Sequence, residues 1–173
     1  MLVVNLFGGP GSGKSTLAAG LFYDLKVHTS AKVEMAREFA KDLVWEKRSL
    51  VDQVYILGEQ HHRLNVLKEA ELDIAITDSP LLLAMYYTQG RPYEKEVAAL
   101  ALALHQQYQN LNIWVTRDGP YQCHGRRETE EDALGIDKAL YAILRKNDIT
   151  IDYCVTKRGV STLFNIIHMR SRI

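Results

Sequence analysis

The sequence predicts an α/β domain in which helices cover both faces of a parallel β-sheet. Short strand-like runs alternate with helical patterns along the 173 residues, as in βα units. The first run, residues 2–7, is apolar apart from Asn5, as a strand buried on both faces should be. Residues 73–78, DIAITD, end on a carboxylate at the sheet edge where α/β proteins bind ligands. With 47% hydrophobic residues and no Ser-, Pro- or Gly-rich linker, residues 1–173 are expected to form one domain.

Five strands and about seven helices are expected in a three-layer α/β/α arrangement. The predicted strands are residues 2–7, 31–34, 73–78, 112–116 and 151–156. Helical patterns cover residues 14–26, 35–45, 92–109 and 160–168.

Two further helix starts match a capping box, in which a hydroxyl and a later acid satisfy free N–H groups. The first box pairs Ser49 with Asp52, and the second pairs Thr129 with Asp132. An apolar stripe at helical spacing follows each box: Val54, Leu57, Leu64 and Leu67 after the first, and Ile136, Leu140, Ile143 and Leu144 after the second.

The composition argues against several classes of protein. Twenty-one basic residues balance twenty-one acidic ones, so no overall field attracts nucleic acid or an anionic membrane. Cys123 and Cys154 lie far apart and form no C-x-x-C pair, which indicates two reduced thiols. No stretch reaches the ~18 to 20 apolar residues of a membrane span, and residues 2–7 lack the preceding basic residue of a signal peptide. We expect a cytoplasmic protein.

The sharpest motif directly follows the first strand. Residues 8–15, GGPGSGKS, fit the phosphate-binding loop G-x-x-x-x-G-K-[ST] in full, between a predicted strand and a predicted helix. Backbone N–H groups and the helix dipole bind phosphate, Lys14 reaches the β- and γ-phosphates, and Ser15 places its hydroxyl on Mg²⁺. The predicted nucleotide-binding residues are Gly8, Gly9, Pro10, Gly11, Ser12, Gly13, Lys14, Ser15 and Thr16.

This loop alone does not name a reaction, because ATPase motors, GTP switches and kinases all carry it. The sequence lacks the N-K-x-D motif of GTP switches, and it is short for a ring-forming motor. Four segments in order, GGPGSGKSTL, VEMAREFAKDL, ITDSP and GRRETEEDALGID, resemble small P-loop kinases of the ribosylnicotinamide-kinase and deoxynucleoside-kinase type. The resemblance covers nearly the whole chain. It implies a five-stranded parallel sheet of order 2-3-1-4-5 and an arginine-bearing lid.

The resemblance also implies where the lid and the donor base lie. The polar segment at about residues 117–129 takes the place of the lid in these kinases. Arg117 would bind the nucleotide, and Arg126 and Arg127 would act as catalytic arginines on the γ-phosphate. Each arginine alone is equally well explained as part of a charged loop facing water. The turn at residues 156–159 would pack against the donor adenine.

Two carboxylates are candidates for the catalytic acid–base group. Asp78 ends the predicted third strand, where it could hold Mg²⁺ through water, act as a base or simply cap a helix. Glu34 follows the predicted second strand and resembles the catalytic glutamate of deoxynucleoside kinases. Arg37 would lie beside the acceptor, or form an ordinary ion pair on a helix face.

Recognition of the acceptor is expected on the helix after Asp52. Gln53, Tyr55 and Gln60 carry the amide and aromatic groups that bind bases by hydrogen bonds and stacking. His61 and His62 are adjacent on that helix and point apart, so we assign them no metal.

The leading hypothesis is a kinase that uses ATP and Mg²⁺ and acts on a nucleoside, deoxynucleotide or related small metabolite. A kinase acting on a polynucleotide end or a hydroxymethylated base in DNA is the first alternative, which the neutral charge does not favour. A regulatory ATPase is the second. The sequence leaves open whether copies of the chain associate, whether ATP or GTP is the donor, and whether the acceptor is a hydroxyl or a phosphate.

Overall fold

Five parallel strands form the central sheet, in the order β2-β3-β1-β4-β5. The structure, a computed structural model, describes residues 1–121 and 128–171. This sheet confirms the predicted α/β fold and the order 2-3-1-4-5. The strands are β1 (Leu2–Phe7), β2 (Val33–Ala36), β3 (Ile74–Thr77), β4 (Gln109–Thr116) and β5 (Tyr153–Thr156).

Seven α-helices lie in the described part of the chain and flank the sheet. A short 3₁₀ turn at Leu81–Leu83 precedes the fourth of them. Within residues 1–121 and 128–171, no helix combines the length and apolar character needed to cross a bilayer. The helices are α1 (Lys14–His28), α2 (Phe39–Trp45), α3 (Gln53–Glu69), α4 (Ala84–Tyr87), α5 (Glu94–His105), α6 (Glu130–Lys146) and α7 (Val160–Ser171).

Alternate residues of β1 point to opposite faces of the sheet, as strand geometry requires. Leu2, Val4 and Leu6 belong to a core shared with α1 and α7. Val3 and Phe7 belong to a second core shared with α3 and α5. The central strand is therefore buried on both faces, as its largely apolar sequence predicts.

The second strand lies two residues later than predicted, over Val33–Ala36 rather than residues 31–34. All four of its residues pair in parallel with the four residues of β3. The predicted helix over residues 35–45 is wrong in its first part, because α2 begins only at Phe39. Tertiary pairing with β3 outweighs the local helical pattern here.

The two predicted capping boxes have different outcomes. Asp52 is itself the N-cap of α3, and its carboxylate accepts a hydrogen bond from the Tyr55 N–H at 2.9 Å, so the box that begins at Ser49 is wrong. At α6 the box is confirmed. The Thr129 hydroxyl accepts from the Asp132 N–H, and the Asp132 carboxylate accepts from the Thr129 N–H.

The carboxyl ends of the strands meet at one edge of the sheet. The phosphate loop follows β1, Asp78 follows β3, and Arg117 follows β4. Arg37 and Glu38 follow β2, because that strand ends at Ala36. The fold thus gathers the polar residues of four segments at the edge where parallel sheets bind ligands.

Candidate active site

The phosphate loop, residues 8–15, joins β1 to α1. Gly13 is the N-cap of α1 and has a φ of 98°, a left-handed conformation that favours glycine. A Cβ at this position would also lie 2.6 Å from the Cβ of Lys157. Glycine therefore allows the turn that aims the N-terminus of a 15-residue helix at the loop, which is the geometry that binds anions.

Lys14 lies over the loop. Its Nζ donates to the carbonyl oxygens of Gly8 at 2.7 Å and Gly9 at 3.0 Å. Burial lowers the pKa of Lys14, while the negative charges of Glu38 and Asp78 oppose that shift. A phosphate bound at the loop would offer this ammonium group a charged partner in place of neutral carbonyls.

The other side chains of the loop differ in exposure. Ser12 is 1% exposed, and its Oγ has no hydrogen-bond partner among the described residues. Thr16 is exposed in the first turn of α1. Pro10 and Gly11 line the cavity described below. The loop thus directs backbone and lysine, rather than Ser12, toward a ligand.

Ser15 and Asp78 are brought together by the adjacency of β1 and β3. The Ser15 hydroxyl donates to Asp78 Oδ2 at 2.5 Å. Asp78 is 5% exposed, and its Oδ1 accepts from the backbone N–H of Glu38 at 3.1 Å. A hydroxyl and a carboxylate at the phosphate loop are oxygen donors of the kind Mg²⁺ accepts alongside phosphate and water. These two residues therefore fit the predicted metal position.

Glu38 is the acid that faces the phosphate loop, and the sequence interpretation missed it. It lines the cavity together with Lys14 and Ser15. Burial raises the pKa of the Glu38 carboxyl; the positive charge of Lys14 opposes the shift and Asp78 adds to it. The hydrogen bond from its N–H to Asp78 fixes its backbone beside the predicted metal position.

Glu34 lies elsewhere. It is a residue of β2, its Oε1 accepts from the N–H of its neighbour Met35 at 3.0 Å, and it is not among the residues that line the cavity. The cause is the position of the strand, which ends two residues later than predicted. The acid after the strand is consequently Glu38, and the catalytic role given to Glu34 stays a prediction that this geometry does not support.

Arg117 and Asp137 hold the outer side of the phosphate loop. Arg117 donates from Nε to Asp137 Oδ2 at 2.7 Å and from Nη1 to the Pro10 carbonyl at 2.7 Å. The Gly9 N–H donates to the other oxygen of the same carboxylate. A Cβ at Gly9 would lie 2.8 Å from that oxygen and 2.9 Å from the Ala133 carbonyl. Arg117 is thus bound to the loop itself, and α6 packs directly against Gly9.

A cavity of about 580 Å³ opens beside the loop, and we call it the side cavity. Its walls come from Pro10, Gly11, Lys14 and Ser15 of the loop, from α2 and residues 49–51, from the start of α3, and from residues 79–91. Glu128 completes its described lining. Its size is that of a small-molecule site.

Gln53 and Gln60, the predicted acceptor-binding residues, line the side cavity, but their amide groups bond within the protein. Gln53 Nε2 donates to the Leu50 carbonyl at 2.6 Å. Gln60 accepts from the Phe39 N–H at 3.1 Å and donates to the Ala36 carbonyl at 3.3 Å. Both amides therefore support α2 and the adjoining segments, and they contribute less to ligand recognition than their residue type suggested.

Tyr55 and Arg37 are not among the lining residues. Tyr55 is 50% exposed, and its ring packs edge-on against Phe39 with the ring centroids 5.1 Å apart. Arg37 is exposed. Arg126 and Arg127 lie outside the described residues, so their catalytic role stays a prediction.

The turn predicted to hold the adenine packs against the loop. Lys157 touches Gly13 closely enough to exclude a Cβ there, and Arg158 pairs with Asp118 at 3.0 Å. The turn is closed by a hydrogen bond from the Gly159 N–H to the Thr156 carbonyl at 2.9 Å. It thus stands next to the phosphate loop, and its contact with a base stays a prediction.

The strand–loop–helix geometry and the Ser15–Asp78 pair define a P-loop nucleotide-binding domain. A protein-family model described as an AAA domain matches residues 3–160, and the chain belongs to that family. No curated protein matches it. Among solved structures, the crystal structure of shikimate kinase from Aquifex aeolicus vf5 is similar with a TM-score of 0.49 and 16% identity, covering 98% of this chain and 96% of that one. The resemblance to ribosylnicotinamide and deoxynucleoside kinases stays a prediction.

Proposed function

We propose that the protein is a phosphotransferase that uses ATP and Mg²⁺ and moves the γ-phosphate to a small acceptor in the side cavity. The acceptor is a nucleoside, a deoxynucleotide or a related small metabolite. The observation that carries this proposal is the position of Lys14, Ser15 and Glu38 in the wall of one cavity. A cavity of small-molecule size beside a phosphate loop gives an acceptor a place next to the γ-phosphate, which ATP hydrolysis does not need.

The phosphate loop is the donor site in this proposal. When bound, Mg²⁺ and the triphosphate supply the transferable phosphoryl group and neutralise charge on it. Lys14, which donates to the carbonyl oxygens of Gly8 and Gly9, would bind the phosphates. Ser15 and Asp78 would hold the metal ion.

Glu38 is the residue proposed to take the proton of an acceptor hydroxyl. The acceptor oxygen forms a bond to the γ-phosphorus as the bond from that phosphorus to the bridging oxygen breaks, ADP leaves, and the hydroxyl proton passes to the Glu38 carboxylate. Burial raises the pKa of Glu38, which makes it a stronger base than an exposed glutamate. Asp78 is less suited to this step, because both of its oxygens already accept hydrogen bonds.

The test is transfer of label from ATP labelled at the γ-phosphate. The purified protein is incubated with Mg²⁺ and separate pools of nucleosides, nucleoside monophosphates, small alcohols, and single- or double-stranded DNA. We expect label in a small-molecule pool, and we expect Lys14→Ala to abolish it.

Two other outcomes would replace the proposal. Label found only in the DNA pool would identify a kinase acting on nucleic acid. Release of free phosphate at the same rate in every pool, with no labelled acceptor, would leave a regulatory ATPase.

A further inference from the structure

Several ionisable groups of the side cavity lie at its phosphate-loop end. Glu38 interacts electrostatically with Lys14, Asp78, Lys41 and Glu128. Tyr87 also lines the cavity, and burial of its hydroxyl, followed by the charges of Glu38 and Glu128, raises its pKa. The charged chemistry of the cavity is therefore concentrated where phosphoryl transfer is proposed to occur.

The rest of the wall is apolar. It combines aliphatic and aromatic side chains from α2, from α3, and from the turn and helix after β3. The residues that form this apolar wall are Val44, Trp45, Leu50, Ile56, Leu57 and Leu83. Such a surface binds a ligand by removing apolar area from water and by ring contacts.

Three polar side chains within this wall are already bonded to the protein. Gln53 binds the Leu50 carbonyl, Gln60 binds backbone groups beside α2, and Ser49 accepts from the Val51 N–H at 3.2 Å. A nucleobase buried here would lose hydrogen bonds to water at its edge without full replacement. Each lost bond to a buried polar group weakens binding by roughly five-fold to a hundred-fold.

Once Lys14 is assigned to the donor, the charges of the described lining do not favour a phosphate as the acceptor group. Apart from Lys14, the described lining carries two cations, Lys41 and Arg91, against two acids, Glu38 and Glu128. A phosphate dianion is normally held by several arginine or lysine donors. In front of Lys14 it would instead meet the buried carboxylate of Glu38.

We infer that the acceptor is an uncharged alcohol with an apolar ring body: its hydroxyl lies at Glu38 and its body lies on the apolar wall around Trp45, Ile56 and Leu57. This inference rests on the proposed phosphotransferase function, and within the proposed acceptor class it favours related small metabolites over nucleosides and deoxynucleotides. Nucleosides and nucleoside monophosphates become poor acceptors.

Calorimetric titration tests this inference without relying on transfer. The full chain is saturated with ADP and Mg²⁺ and titrated with naphthylmethanol, thymidine or thymidine monophosphate. We expect naphthylmethanol to bind at least ten-fold more tightly than either of the other two. Ile56→Gln, which places an amide in the apolar wall, should weaken naphthylmethanol binding at least ten-fold.

Val54→Gln is the matched control, since Val54 lies on the same helix, is 47% exposed and is not among the lining residues. It should leave binding unchanged. If Ile56→Gln does not fold, Trp45→Ala takes its place. Trp45 is 66% exposed, so this variant should fold, and it should weaken binding several-fold.

Each outcome decides a different claim. Thymidine or its monophosphate binding as tightly as naphthylmethanol, no binding of naphthylmethanol, or equal losses in the Ile56 and Val54 variants would overturn the inference. If naphthylmethanol binds more tightly than the nucleoside and nucleotide but no acceptor receives label, the proposed function is wrong and the inferred preference of the cavity for an apolar alcohol still holds. Transfer of label to thymidine would support the proposed function and overturn the inferred preference for an apolar alcohol.

Discussion

Glu34 and Glu38 are four residues apart, and their surroundings give them different chemistry. Glu34 is part of β2 and accepts a bond from its neighbour's N–H. Glu38 is mostly buried in the wall of the side cavity, close enough to Lys14 for the two charges to interact. Both are glutamates near the carboxyl end of the same strand, so the pair is a matched test of the proposed base.

Glu38→Gln is expected to lower kcat by about a hundred-fold or more, because loss of a general base typically costs that much. Glu34→Gln should leave kcat within about two-fold. Steady-state rates of acceptor phosphorylation measure both. Equal losses in the two variants would show that Glu38 is not the base.

The same substitution predicts the sign of a stability change. A carboxyl whose folded pKa is raised destabilises the protein once it ionises, so its cost is present above that pKa and disappears as the pH falls. Glu38→Gln should therefore keep or raise the melting temperature at neutral pH while it removes activity. A clear fall in melting temperature would show that the ionised carboxylate stabilises the fold.

Substitutions at Ser15 and Ser12 distinguish an effect on metal binding from an effect on the structure of the loop. Ser15→Ala removes the hydroxyl that donates to Asp78 at 2.5 Å, and the Mg²⁺ concentration for half-maximal rate should rise roughly ten-fold. Ser12→Ala removes a buried hydroxyl that has no partner among the described residues, so the Mg²⁺ dependence should not change. Similar shifts in both variants would indicate that a general disturbance of the loop is responsible.

At the scale of elements, the contact between α6 and the phosphate loop positions the donor site. Asp137 accepts from both Gly9 and Arg117, and the Arg117 and Asp137 side chains are each 17% exposed. Asp137→Ala leaves these donors without their carboxylate. We expect a loss of roughly 2–3 kcal/mol in the free energy of unfolding and weaker ADP binding.

Glu46→Ala provides the control for that ion pair. Glu46 pairs with Arg48 at 2.9 Å, but the two side chains are 54% and 68% exposed. Exposed pairs contribute about 0–1 kcal/mol, so urea unfolding of this variant should resemble that of the wild type. Equal destabilisation by the two substitutions would contradict a special role for the α6 contact.

The sequence predicts the existence of these elements better than their limits. VEMAREFAKDL carries apolar residues at helical spacing, so a helix was predicted from residue 35, whereas pairing with β3 extends the strand to Ala36. Because the predicted strand ends two residues too early, the sequence predicts Glu34 as the acid at its end, whereas in the structure that acid is Glu38. Asp137 could have been noticed, because it falls on the stripe of α6 that includes Ala133 and Leu140, where a charge must find a partner.

At the scale of the whole molecule, the sheet and the phosphate loop follow from sequence, and the side cavity does not. A family resemblance implies the order of the strands. The motif predicts the loop, because its turn needs a backbone conformation that glycine adopts readily, as at Gly13. The cavity is formed by segments that are distant in sequence, such as residues 49–51 and 79–91. Their apolar residues have the same pattern whether they face a core or a ligand, so only their packing distinguishes the two.

The stability of the whole domain should depend on pH through His105, which is 5% exposed at the end of α5. Burial lowers its pKa from 6.5 to about 4. As the pH falls, the unfolded chain therefore binds this proton at a higher pH than the folded chain does. The free energy of unfolding is highest above pH 6.5 and decreases by on the order of 3 kcal/mol as the pH falls toward 4. Urea unfolding measured at several pH values should show this slope in the wild type and a shallower one in His105→Gln. Parallel slopes would assign the pH dependence to other groups.

The central claim is that the phosphate loop serves an acceptor in the side cavity, and the most direct test is the stoichiometry of ATP use. ADP, free phosphate and phosphorylated acceptor are measured together, with and without the pool that acquires label. We predict that ADP formation depends on the acceptor and equals the amount of phosphorylated acceptor, and that Glu38→Gln lowers both equally. ADP formation that equals free phosphate and ignores every acceptor would contradict the account.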